Sequence, residues 1–288
     1  NYIHYKDWIM MTTLLFPGQG SQEPGMGGDL FDRFPKLVAQ ADEILGYSVK
    51  ALCNDETDQL NQTLYTQPAL FVVSCLSFEA WQEDSGLEIS FAAGHSVGEY
   101  AALYASGVID FATGVQLVQK RGEIMQCQKG GGMAAVIGLQ LSEVKQVLES
   151  SKFSGIDIAN LNSPEQIIVS GLQSDIQNAE KSFLDNGAKR YIPLKVSGAF
   201  HSSYMKQPAE EFGAFLEDYK FTAPKFPVIS NLEAKPYEFS RTSEILKQQI
   251  YSPVRWVESI QYLRKQGEME FTELGSGRVL TGLLRRIR

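Results

Sequence analysis

The first apolar run of the chain is short and unbroken. Residues 12–16, Thr-Thr-Leu-Leu-Phe, stop at Pro17-Gly18, which predicts a buried strand ended by turn residues. A glycine-rich loop follows, Gly18-Gln19-Gly20-Ser21-Gln22. Apolar residues recur at helical spacing over 31–45. Residues 68–81 predict a second, mostly buried helix, with Pro68 in its first turn and Leu70, Val73, Leu76 and Ala80 on one face. Residues 89–93 form a short apolar strand. It runs into Gly94-His95-Ser96-Val97-Gly98 and an alanine-rich helix over 99–106, and another helix begins near Asp110. Strands alternating with helices predict an α/β architecture with a mainly parallel sheet.

The rhythm changes after Gly130-Gly131-Gly132. Residues 133–139 predict a strand, and Ser142 an N-cap for a helix carrying Val144, Val147 and Leu148. Two strands, 156–161 and 166–170, are joined by Asn162-Ser163-Pro164; a helix over 174–186 and a strand over 191–196 follow. This β-α-β-β-α-β order is ferredoxin-like. Helix–strand alternation then resumes, with later strands at 227–231 and 270–274. The expected organisation is a small subdomain, 132–197, inserted into a large one made of 12–131 and 198–288. Residues 1–11 read as an N-terminal extension or tag remnant.

Composition narrows the classes. With 288 residues, 43% hydrophobic and 21% charged, the chain can bury a sizeable core and is not a disordered one. A net charge of -8 argues against general nucleic-acid binding but leaves room for a local basic patch. Cys53, Cys75 and Cys127 form no C-x-x-C, so reduced structural cysteines are expected. No run approaches the roughly 18 apolar residues of a membrane helix, and the start lacks a signal-peptide pattern. A cytoplasmic protein is the default expectation.

Candidate chemistry centres on G-x-S-x-G at residues 94–98. A serine on a tight strand-to-helix turn is exposed, and the helix start offers N–H groups to an oxyanion. Such a serine needs a base. Of the three histidines, His4 lies in the tail and His95 is adjacent on the turn, where it reads as structural. His201 remains, in a loop after a strand. Arg121 falls beside the apolar face of its helix, near Leu117, Val118, Ile124 and Met125. A guanidinium there needs an anionic partner. An internal salt bridge and a clamp for a substrate carboxylate are equally open on local sequence. Gly18-Gln19-Gly20 and Gly275-Ser276-Gly277 lack the sixth-position glycine of a dinucleotide fingerprint, so nucleotide binding is disfavoured.

Taken in order, Phe16-Pro17-Gly18-Gln19-Gly20-Ser21-Gln22, Gly94 to Tyr100, Lys120-Arg121-Gly122, Gly198-Ala199-Phe200-His201-Ser202 and Thr281-Gly282-Leu283 resemble the malonyl-CoA:acyl carrier protein transacylases. More narrowly, the chain resembles the free-standing acyltransferases that serve polyketide synthases lacking built-in ones, with fatty-acid synthesis close behind. The resemblance runs from about residue 12 to the C-terminus. It implies a hydrolase-like α/β core with the ferredoxin-like insert. It also implies Ser96 as nucleophile, His201 as base, Arg121 on the malonyl carboxylate, Gln19 and Val97 amides as oxyanion donors, and the Gln249 carbonyl orienting the base. Asn160, Asn162 and Phe200 match residues near the cleft. The implied reaction is ping-pong malonyl transfer from malonyl-CoA to a carrier protein's phosphopantetheine thiol. No metal, bound cofactor, nucleic acid or membrane partner is implied, and a monomer is the default.

Small Gly198 and Ala199 beside Phe200 match the malonyl-selecting form of that segment. Val97 stands where leucine is commoner, Ser276 where proline is common, and the chain ends soon after its final helix, as a truncation would leave it. An acyl hydrolase clearing carrier proteins is the first alternative; Arg121 favours the transferase. A noncatalytic docking module is the second. A basic patch at the cleft mouth is expected among Lys195, Lys206 and Arg278.

Overall fold

The computed structural model describes residues 10–150, 153–196 and 198–288. The proposed extension up to residue 9, with His4, and Ser197 lie outside the described residues. Met11, read as part of the extension, instead opens the first strand, β1 (Met11–Phe16): its N–H donates to Glu268 O and it pairs with Met269.

After β1 come three short helices, α1 (Leu30–Arg33), α2 (Pro35–Leu45) and α3 (Val49–Cys53), then the long α4 (Thr63–Ser85). The single helix expected over 31–45 is therefore two. Pro35 restricts the residue before it, and Phe34 leaves the helical region at φ -122°, ψ 56°. Pro68 lies inside α4, not in its first turn. The helix extends before the proline because neighbours secure its start: Gln126 accepts from the Leu64 N–H at 2.8 Å, and Thr66 Oγ1 donates to Leu60 O at 2.6 Å.

β2 (Ile89–Gly94), α5 (Gly98–Ala105) and α6 (Phe111–Gln126) follow. β1 and β2 run parallel and adjacent, with Phe16 opposite Gly94. The antiparallel sheet is built from β3 (Gly131–Ile137), α7 (Leu141–Ser150), β4 (Asp157–Ser163), β5 (Gln166–Leu172), α8 (Gln173–Asp185) and β6 (Arg190–Pro193). Its strand order β4-β5-β3-β6 is that of a ferredoxin-like unit. Gly131, assigned to the large unit by sequence, is the first residue of β3. Ser142 lies within α7, where the Glu143 side chain turns back to accept from the Gln140 N–H at 2.7 Å. Asn162 and Ser163 belong to β4, leaving Pro164 and Glu165 as the turn.

The chain then returns with α9 (Lys206–Leu216), β7 (Val228–Ile229), α10 (Thr242–Gln249), α11 (Trp256–Gln266), β8 (Met269–Glu273) and α12 (Val279–Leu284). This completes a parallel sheet of order β7-β2-β1-β8. The antiparallel sheet is tied through the backbone to the segment before α11: Leu161 N–H donates to Val254 O at 2.9 Å, and Val254 N–H to Ala159 O at 2.8 Å. α4 is buried on nearly every side between the sheet's helices, which is why its apolar residues show no single stripe. Among the described residues no helix is long and apolar enough to cross a membrane. The three cysteines are free, with Cys53 and Cys75 buried and Cys127 exposed.

Candidate active site

The carboxyl ends of β1, β2 and β7 lead into Gln19, Ser96 and Asn231, at the edge where α/β sheets bind ligands. Only three residues separate β2 from α5. Ser96 sits among them at φ 53°, a left-handed conformation that costs a non-glycine residue about 1–3 kcal/mol. The turn needs glycine at both flanks. A Cβ on Gly94 would overlap the Gly98 carbonyl, and one on Gly98 would overlap the Phe16 carbonyl oxygen. Neighbours secure the strained residue on both sides: its N–H donates to Asn231 Oδ1 at 2.8 Å, and its carbonyl accepts from Gln249 Nε2 at 2.9 Å.

Ser96 Oγ lies 2.8 Å from His201 Nε2. His201 Nδ1 faces two carbonyl oxygens, Gln249 at 2.9 Å and Ser252 at 3.1 Å. Carbonyls only accept, so Nδ1 carries the proton and Nε2 is free to accept from the serine hydroxyl. Burial, then the nearby Arg121 charge, push the imidazole down to about 3. It is neutral at ordinary pH. The loop behind it is anchored by Asp157 of β4, which accepts from Ser203 N–H at 2.8 Å and Ser203 Oγ at 2.6 Å.

Arg121 is carried by α6, whose start is capped by Asp110 accepting from Thr113 N–H at 2.7 Å. The residue is 1% exposed. Nη1 donates to Gln67 Oε1 at 2.7 Å; Nη2 donates to Gln249 Oε1 at 3.0 Å and Ser96 Oγ at 3.1 Å. Its carbon lies 5.6 Å from the Tyr100 ring centre. Among the described residues no carboxylate is ion-paired with it, which removes the salt-bridge alternative, and its Nε–H has no partner. A buried cation with a spare donor beside a serine–histidine pair is a receptor for an anion.

These groups open on a cavity of about 240 Å³, lined also by Gln19, Val97, Asn160, Asn162, Phe200 and Met125. Of the candidate catalytic and acyl-binding residues, Gln19, Ser96, Val97, Arg121, Asn160, Asn162, Phe200 and His201 border it and Gln249 lies behind Arg121, while Lys195, Lys206 and Arg278 are not among its lining. His95 also borders it, but its Nε2 is bonded to Asn162 Oδ1 at 2.7 Å and its ring meets Trp256 edge-on at 5.5 Å. It is therefore committed elsewhere. Sequence reading missed Gln67, Asn231, Ser252 and Glu99. Glu99 left one signal: a carboxylate at the head of the apolar stretch Tyr100-Ala101-Ala102-Leu103.

The acyl transferase domain model matches residues 13–286. The chain belongs to the acyl transferase domain family. This acyl transferase is 50% identical over 280 residues to the polyketide biosynthesis malonyl CoA-acyl carrier protein transacylase PksC of Bacillus subtilis, covering 96% of this chain and 97% of that one. It superposes with a TM-score of 0.93 on the crystal structure of malonyl CoA-acyl carrier protein transacylase from Burkholderia pseudomallei, at 48% identity and covering 97% and 98% of the two chains. It also matches a malonyl-transacylase in complex with its type II PKS acyl-carrier protein, with a TM-score of 0.92, 38% identity, and coverage of 96% and 93%.

Proposed function

We propose that this acyl transferase moves a malonyl group from malonyl-CoA to the phosphopantetheine thiol of an acyl carrier protein, in polyketide assembly. The observation that carries the reading is Arg121: a buried cation with an unpartnered Nε–H, 3.1 Å from Ser96 Oγ through Nη2. A free carboxylate two bonds from the reacting carbonyl needs such a clamp.

In the first half-reaction, His201 Nε2 takes the Ser96 Oγ–H proton as Oγ attacks the thioester carbonyl. The oxyanion is held by the Gln19 and Val97 amides. A lost donor of this kind typically costs about 10²–10³ in turnover. The tetrahedral intermediate collapses, the C–S bond breaks, and the His201 proton leaves with CoA. In the second half, the carrier thiol gives its proton to His201 and attacks the malonyl-serine, and Oγ recovers a proton. Gln249 O and Ser252 O keep the base's tautomer throughout. Asn160, Asn162 and Phe200 shape the acyl pocket, whose volume near 240 Å³ suits a short chain. The setting is cytoplasmic, the working unit a monomer, and the chemistry runs without a bound cofactor.

Intact-protein mass after brief mixing with malonyl-CoA tests this. A malonyl adduct is expected in the parent, absent from Ser96→Ala, and scarce with acetyl-CoA. Arg121→Ala should lower malonyl loading and relax discrimination against acetyl. No adduct, with free malonate accumulating, would support an acyl hydrolase instead.

A further inference from the structure

Gln249 touches three parts of the site at once. Its backbone oxygen accepts from His201, its Oε1 accepts from Arg121 Nη2, and its Nε2 donates to Ser96 O. The side chain works only with its amide turned one way. Reversed, it would aim an NH2 at the guanidinium and an oxygen at the Ser96 carbonyl, repelling both. Arg121 and the Ser96 carbonyl favour that direction, and the buried group that reinforces it from behind Nε2 is Glu99.

Glu99 is fully buried in the first turn of α5. Its Oε2 accepts from Gln249 Nε2 at 2.8 Å and from Asn231 N–H at 3.2 Å, and its Oε1 accepts from Tyr237 Oη. Every bond to the carboxylate is one in which it accepts. An ionised carboxylate has no other mode, so it demands a donor from Gln249. Asn231, held by the same carboxylate, receives the Ser96 N–H. Glu99 touches no cavity-lining atom of the substrate pocket through these bonds; it acts one residue behind.

We propose that Glu99 is a positioning residue for malonyl selection: it fixes the Gln249 amide with its oxygen toward Arg121, and so aligns the guanidinium for the substrate carboxylate. The inference rests on the clamp reading of Arg121. Burial lifts the Glu99 carboxyl to about 7, against the pull of its hydrogen bonds and the Arg121 charge. Assays at pH 8 therefore examine the ionised form.

The test compares Ser96 acylation rates with malonyl-CoA and acetyl-CoA in the full chain, for the parent, Glu99→Gln, Arg121→Ala and the double variant. Glu99→Gln keeps the shape but removes the charge that demands a donor from Gln249, loosening the amide's hold on its direction. The malonyl-to-acetyl ratio should fall about tenfold, the size of one lost hydrogen bond to a charged group. In the Arg121→Ala background the same substitution should leave the ratio unmoved, because the two act along one path. Gln249→Met, which keeps the backbone carbonyl for His201, should reproduce the loss and serves if Glu99→Gln does not fold. Equal falls with both substrates, or a further drop in the ratio on the Arg121→Ala background, would overturn the proposal. A parent that forms no malonyl adduct would instead refute the clamp reading itself.

Discussion

An imidazole held near 3 is a weak base, and the reason is visible in its surroundings. Burial comes first and the Arg121 charge second. A malonyl carboxylate against Arg121 would cancel that charge and make His201 easier to protonate, hence a stronger base. The sign follows. Acylation slows as pH falls through the base's pKa, and that pKa is higher with malonyl bound. Stopped-flow acylation at saturating malonyl-CoA should therefore lose rate at a higher pH than at trace malonyl-CoA. With acetyl-CoA the two acid limbs should coincide; a separation there would refute the account. Ser96 was legible because of its G-x-S-x-G setting, and His201 because the sequence holds only three histidines. The partners that align them were not. Gln67 lies 54 positions from Arg121, Asn231 135 from Ser96, and Glu99 150 from Gln249, and amides carry no sequence signature of burial.

At the scale of elements, the close crossing of β1, β2 and α5 is what exposes the serine. Gly98 packs so tightly on the backbone at Phe16 that a methyl cannot fit. Gly98→Ala should lower the melting temperature by roughly 2–10 °C, the range for overpacking by one methyl in a domain of this size, and displace Ser96 from His201. Gly282 in α12 is the control. A Cβ there meets nothing within 4 Å, and alanine favours a helix, so Gly282→Ala should leave melting unchanged or raise it. Calorimetry of the two variants decides the matter. Strand and helix order were readable from the apolar rhythm, and the ferredoxin-like unit from its sequence of elements. Boundaries shifted where tertiary contacts outweighed local preference. α4 begins ahead of Pro68 because Gln126 and Leu60 hold its first turn, and β1 begins at Met11 because Met269 pairs with it.

The whole molecule carries a charge of -8, and an acidic carrier protein would be repelled unless it met cations locally. Lys195, Lys206 and Arg278 are exposed, and none is ion-paired among the described residues. Lys195 lies between Leu194 and Val196, both of which line the cavity, and Arg278 is two residues after Ser276, whose Oγ donates to Ser21 O in the loop bearing Gln19. Transfer to the carrier should slow with added salt, whereas loading from malonyl-CoA should respond less, and replacing the three with glutamine should flatten that dependence. Transfer rates indifferent to salt would remove the patch. The pair of backbone bonds at Val254 bears on all of this. Val254 is two residues from Ser252, which orients the base, and its bonds reach β4, which carries Asn160 and Asn162. The segment that orients the base and the strand bearing Asn160 and Asn162 are thus hydrogen-bonded to each other. A site built this way spends little binding energy on ordering itself, since Ser96 Oγ and His201 Nε2 stand at contact distance on anchored segments.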